Sequence, residues 1–456
     1  MRSSKTMDLT QGSVMKQMLL FALPIMLGNI LQQLYNVADR VVVGQFAANG
    51  EVALAAVGAT GSAIFLVLGL FNGMAVGVDV ICANLLGARK NKELRESMHT
   101  GMLVAVLFGL GVGLFGVLSS KWMLQLLDTP MDVLKPATLY MQIYYLGAPA
   151  SLIYNFGAAI LRSHGDTKRP MYILMFSGIV NVVLNVVLVV VFKRSVDGVA
   201  IATVISQMVS AVMVLKILFD PDNQYKLTVK ELQINKKQLS AILKIGVTSG
   251  LGGMAFSLSN MIVQSAVNSF NSAIIIAGRT AASDINALVY QVQAALYATC
   301  VSFSGQCYGA KKHKRIDVLA LLATVICTGA YLLCAIACTV FSRQFIGLFN
   351  SNPQVIDVGA EILMIINWGM LLYGPSEIFL GCLRGMKQAL APTILNLLGI
   401  CVPRLIWIWF VFPLNPTVPM LFWCYPISWI TSSVLQGSYY LAFRKKMNRQ
   451  ALCEKE

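Results

Sequence analysis

Twelve apolar runs divide this chain almost without remainder. They lie at 14–43, 52–80, 98–118, 136–160, 170–192, 197–219, 241–270, 276–306, 317–341, 355–381, 391–412 and 418–443. Each is about 20 residues or longer, enough for a helix to cross ~30 Å of hydrocarbon. Inside a bilayer no water satisfies backbone polar groups, so a continuously apolar run of this length has to be helical. The expected fold is therefore an all-α integral membrane protein of twelve transmembrane helices. Only 12% of the 456 residues are charged and mean hydropathy is +0.70, whereas soluble domains are about a quarter charged. No stretch remains for a soluble domain of useful size. The first run begins near Val14 and ends without a small-residue cleavage site, which marks it as a retained span and not a signal peptide.

The net charge of +15 would suggest nucleic acid in a soluble chain. Its distribution points elsewhere. With both termini placed inside, the cytoplasmic segments and span ends carry 27 Lys and Arg, against 6 on the outer side. That asymmetry is the positive-inside pattern, and it predicts a multi-pass protein of the cell membrane with both termini cytoplasmic. The excess charge then faces anionic inner-leaflet lipid, with no nucleic-acid partner.

An internal repeat organises the spans. Gly87-Ala88-Arg89-Lys90 follows the second run, and Gly309-Ala310-Lys311-Lys312 follows the eighth, 222 residues later. Leu161-Arg162 and Pro170 recur as Leu383-Arg384 and Pro392 at the same offset. Six spans per half is an even number, so the halves enter the membrane alike and face each other across a central cleft. The expected organisation is an N-terminal six-helix lobe at 1–219, a cytoplasmic linker at 220–240, a second six-helix lobe at 241–443 and a tail at 444–456. Gly87 and Gly309 are expected to end their helices in the left-handed conformation. Pro170 and Pro392 are expected in first turns, where a missing N–H is tolerated.

Polar residues enter these spans in stripes. Asn29, Gln32, Asn36 and Asp39 recur at spacings of three and four in the first, which places them on one helical face. Asn181 and Asn185 with Ser177 stripe the fifth span, and Thr203 with Gln207 the sixth. Ser257, Asn260, Gln264 and Asn268 stripe the seventh, and Asn286, Tyr290, Gln293 and Tyr297 the eighth. One stripe serves to glue helices by hydrogen bonds. Stripes in both halves suit a hydrated cavity. An acid at mid-bilayer costs at least roughly 2.5–3.5 kcal/mol, so Asp39 is a functional candidate, with Arg40 as a local counter-charge. Asp79 and Asp284 fit either a headgroup position or a bond to a neighbouring helix. Glu377, two turns before Arg384, fits a cavity acid or a structural partner of that arginine.

Catalytic motifs are missing from the sequence: it contains no P-loop, no GxSxG and no HExxH. His99, His164 and His313 fall in predicted cytoplasmic regions, where loop histidines are ordinary. Ten scattered cysteines fit small buried hydrophobes, and Cys334 and Cys338 have no His or acid nearby to complete a metal site. The chain is expected to be neither an enzyme nor a cofactor-binding protein.

The two-times-six plan, VADRVVVG at 37–44, LGARKNKE at 86–93, LRSHGDTKRPM at 161–171 and LRGMKQALAPT at 383–393 resemble the multidrug and toxic compound extrusion (MATE) transporters. The likeness covers nearly the whole chain and is closest to the bacterial branch. It implies export of amphipathic or cationic drugs in exchange for H⁺ or Na⁺, by alternating access. It also implies a cation-coupling site at Asp39, Asn181, Asn185 and Thr203. Gln32, Asn36, Asn260, Gln264, Asn286, Tyr290, Tyr297 and Glu377 are the cavity candidates. Two departures from the family pattern stand out: Asn185 replaces an Asp common there, and the seventh span carries no acid. Both place the coupling burden on Asp39, with Glu377 as the second-lobe candidate. The alternative is a flippase for lipid-linked precursors, against which stands the presence of only Arg40 and Arg404 within spans.

Overall fold

The computed structural model describes residues 7–46, 50–127, 129–222 and 226–453. The side chains of Arg40 and Cys453 lie outside the described residues. The helices are α1 Val14–Phe46, α2 Gly50–Gly87, α3 Asn91–Leu126, α4 Met131–Leu146, α5 Ala148–Ser163, α6 Lys168–Asn185 and α7 Val196–Leu218. The second half holds α8 Lys236–Asn268, α9 Ala273–Gly309, α10 His313–Val340, α11 Ser342–Gly347, α12 Pro353–Gly385, α13 Leu390–Ile406, α14 Val418–Phe422 and α15 Cys424–Cys453. Among the described residues there is no strand.

Ten of the expected spans are long, apolar helices. The fourth is broken into α4 and α5, of 16 residues each. The break falls at Gly147, two residues before Pro149, which cannot donate to the carbonyl four residues back. The eighth is α9, 37 residues long but interrupted by Arg279, Asp284, Gln291 and Gln293.

The repeat governs how the halves meet. Gly87 does not adopt a left-handed conformation; that falls to Arg89 (φ 56°), and in the second half to Lys311 (φ 57°). The glycine serves close approach instead. A Cβ on Gly87 would lie 2.0 Å from the Gln306 carbonyl oxygen, and one on Gly309 would lie 2.0 Å from that of Asn84. Gln306 and Asn84 are themselves 222 residues apart, so the contact is reciprocal. The same amides cross between halves. Asn84 Nδ2 donates to Gly385 O at 2.8 Å, and Gln306 Nε2 to Ser163 O at 2.7 Å. Each thereby satisfies a carbonyl at the end of the other half's helix, which has no partner within that helix. Pro170 and Pro392 lie in the first turns of α6 and α13.

From this end α2 runs along α8. Gly73 faces Gly250 with 2.1 Å available for a Cβ, and Gly77 faces the Ile242 carbonyl with 2.5 Å. This is small-residue packing at four-residue spacing, which lets membrane helices touch backbone to backbone. Asp79 sits buried on the same boundary. Ser302 Oγ of α9 donates to its two oxygens at 2.9 and 2.8 Å, and Arg162 stands 3.7 Å away. Asp79 is therefore a lobe-to-lobe contact and not a headgroup residue. Residues 9–17 close over this end: Arg315 donates to the carbonyls of Leu9, Gln11 and Gly12 at 2.9, 2.7 and 2.6 Å.

The segment between the halves is not free. Thr228 N donates to His99 Nε2 at 2.9 Å, and Asn235 N to Thr100 Oγ1 at 3.0 Å. His99 is thus a buried helical residue of α3 and not an ordinary loop histidine, and His164 is buried as well.

Candidate functional site

The polar stripes sort into two cavities, each lined within one half. In the first half α1, the fourth span, α6 and α7 enclose about 260 Å³, with Gln32, Asn36, Asp39, Asn181 and Thr203 on the wall. The stripe periodicity places Asn36 and Asp39 on one face of α1, and α6 presents its amides to that face. Asn185 Nδ2 donates to Asp39 Oδ1, and also to Asn181 Oδ1 at 3.2 Å. Thr203 Oγ1 donates to Val199 O at 3.0 Å, which leaves its lone pairs for the cavity. Asn185 Oδ1 and Gln207 Oε1 are buried without a partner. The four proposed coupling residues are thus brought together, with Asn185 just behind the wall. Their spare atoms are oxygens, suited to a cation or a proton. Tyr140 and Tyr144 of α4 also line this space. Their four-residue spacing puts them on one face of α4, but nothing in the sequence marks that face as the one turned to a cavity.

In the second half a cavity of about 360 Å³ is bounded by Phe256, Asn260, Asn286, Tyr290, Tyr373 and Trp429, among others. Asn286 Oδ1 accepts from Asn367 Nδ2 at 2.7 Å. Three expected members, Gln264, Tyr297 and Glu377, stand apart from this wall. Gln264 donates to Asn268 Oδ1 at 2.8 Å on an exposed face. Tyr297 OH accepts from Arg384 Nη1 at 2.5 Å, beneath the cavity. Glu377 is buried below it too and accepts from Tyr373 OH at 3.1 Å. Arg384 donates through Nη1 to Tyr297 OH and through Nη2, at 3.2 Å, to Thr393 Oγ1, while its Nε is buried without a partner; no hydrogen bond joins it to Glu377 among the described residues.

Behind this second wall lies Arg404, only 1% exposed. Nε donates to Ser428 Oγ at 3.1 Å, and Nη1 to Asn260 Oδ1 at 2.9 Å and Ser259 Oγ at 3.4 Å. The guanidinium carbon stands 4.3 Å from the Tyr425 ring centroid and 5.6 Å from that of Phe256.

A family model, MatE, matches residues 24–187 and 249–410, most of both halves. The chain belongs to the MatE family. Among curated relatives it is 29% identical to the probable multidrug resistance protein YpnP of Bacillus subtilis, over 88% of this chain and 89% of that one. It is 23% identical to the multidrug export protein MepA of Staphylococcus aureus, over 87% of each. Its fold matches an outward-facing multidrug resistance MATE family transporter of the MOP superfamily with a TM-score of 0.90. That match is 19% identical and covers 98% of this chain and 100% of the other. MatE proteins are multi-pass membrane transporters, not enzymes.

Proposed function

We propose that this MatE chain is a secondary antiporter that exports amphipathic, cationic drugs by alternating access, driven by H⁺ or Na⁺. The observation that carries the reading is Asp39, held by Asn185 on the wall of a polar cavity whose remaining spare atoms are acceptors. Asp39, Asn181, Asn185 and Thr203 supply the coupling site. A proton or Na⁺ at Asp39 cancels its charge and releases its hold on a cationic substrate. Each elementary charge moved through 100 mV contributes about 2.3 kcal/mol to that exchange. The multidrug names of YpnP and MepA support the substrate class. The charge asymmetry supports placing the Gly87 and Gly309 loops, the 220–240 linker and both termini in the cytoplasm. Lobes at 1–219 and 241–443 then pivot on the glycine seam, in contact with membrane lipid on their outer faces.

The test is efflux of a fluorescent organic cation from loaded right-side-out vesicles under an imposed Na⁺ or pH gradient. Asp39→Asn is expected to abolish efflux while the protein still reaches the membrane in normal amount. The gradient that drives wild-type efflux identifies the ion. Undiminished export by the variant sinks the mechanism.

A further inference from the structure

The second cavity has a chemistry the cation-export reading does not use. Its spare buried atoms are donors. Arg404 Nη2, Arg279 Nε and Trp429 Nε1 are all buried without a hydrogen-bond partner. Arg279 and Trp429 line the cavity, and Arg404 is joined to its wall through Asn260, Phe256 and Tyr425. The partners of Arg404 are two serine hydroxyls, one amide oxygen and two aromatic faces, all of them neutral. No carboxylate lies within 4.0 Å of it among the described residues. Glu377 accepts from Tyr373 OH and has Arg384 as its electrostatic neighbour.

A guanidinium taken out of water and given only neutral partners keeps most of its charge unanswered, which is costly unless something answers it. The planar donor fork of Arg suits a carboxylate or another oxyanion. The wall beside it is aromatic, which suits a flat apolar body. We propose that the second-half cavity is an anion-binding subsite, taking the carboxylate or sulfonate of an aromatic amphiphile against Arg404 and Arg279. Compounds carrying both charges would then span the two halves, cation toward Asp39 and anion toward Arg404. An anionic lipid headgroup offers the same oxygens without the flat ring, and the aromatic wall favours the former.

The test is equilibrium binding to the full chain in phosphatidylcholine nanodiscs, with 2-naphthoate, its neutral amide and tetraphenylphosphonium as probes. Naphthoate is expected to bind at least about tenfold tighter than the amide, the scale of one charge-assisted hydrogen bond. Arg404→Gln and Arg279→Gln should each remove that preference and spare tetraphenylphosphonium binding. Asp39→Asn should do the reverse, so failure of the export reading leaves this one separately measurable. Retained tetraphenylphosphonium binding certifies that a variant is folded. If Arg404→Gln is not folded, Arg279→Gln, at the cavity wall, decides alone. Equal affinity for naphthoate and its amide, or preference retained in both Arg variants, overturns the proposal. Loss of naphthoate binding when phosphatidylglycerol replaces phosphatidylcholine assigns the subsite to lipid headgroups and overturns the aromatic assignment.

Discussion

The fifth and eleventh spans occupy matching places in the two halves, and each runs into a π-helical turn, Val186–Val191 in one and Trp407–Val411 in the other. What they carry beside that turn is opposite. In the first half an acid on α1 meets an amide on α6; in the second an amide on α8 meets a guanidinium on α13. The spare atoms follow suit, oxygens in one cavity and N–H groups in the other. At the Gly87 and Gly309 end, by contrast, the halves remain copies of each other in contact, hydrogen bond and backbone conformation. A duplicated backbone thus constrains the seam where the halves touch and leaves each cavity free to choose its own sign of charge.

That contrast can be broken experimentally, beginning where the halves are alike. Gly87→Val and Gly309→Val each drive a side chain into a carbonyl 2.0 Å away. Each should cost about 3 kcal/mol of stability in detergent, and by similar amounts. Gly111→Ala, with nothing within 4 Å of its Cβ, is the control and should be near neutral. Unequal losses for the two valines would mean that the reciprocal contact is not shared equally.

A second test uses a loop in which the halves differ. His164 lies between α5 and α6, outside the spans, and its counterpart 222 residues on is Met386. Burial pushes the His164 imidazole down to about 4, and its Nδ1 meets Ile160 O at 2.7 Å. The unfolded chain takes up that proton near 6.5 and the folded one near 4, so stability falls as pH drops across that window. The full loss is about 3 kcal/mol by pH 4. Thermal melting of His164→Gln against wild type at pH 7.5 and 4.5 should show the difference shrinking at the lower pH. An unchanged difference would mean that His164 does not stay neutral.

The smallest effect concerns a left-handed turn made twice, at Gly165 (φ 86°) and Lys387 (φ 63°). The first half fills it with glycine and the second with lysine, which bears a steric cost of roughly 1 kcal/mol there. Lys387→Gly should raise the melting point slightly, by about 0.5–1 kcal/mol of stability, and a lower one would show that the lysine side chain contributes more than its strain.

Spans and repeat were legible because hydrophobic length and loop motifs are local properties of a sequence. The gathering of Asp39, Asn181, Asn185 and Thr203 around one cavity was legible once stripe periodicity and family likeness were combined. Partner identity was not. Arg404 showed as a lone arginine in a span, but its partners lie on α8 and α15, and no pattern names them. The glycines misled for a related reason. A Gly at a helix end satisfies two physical needs equally, a left-handed cap or a close neighbour, and only the neighbour's position distinguishes them. Gly69, Gly73 and Gly77 carry a four-residue spacing, as do Gly246 and Gly250, but that spacing does not say which helix each faces, and only the structure joins them as the α2–α8 seam.

Consider the reciprocal contact as it would stand between two separate six-span chains of one sequence. A single glycine and a single amide would make both contacts, because a two-fold interface presents the same patch to itself. Any substitution there would be felt twice, and any charge introduced into one cavity would appear in both. Joining the copies through the 220–240 segment removes that obligation. Covalent fusion is what allows an acid to sit in one bowl of the molecule and an arginine in the other.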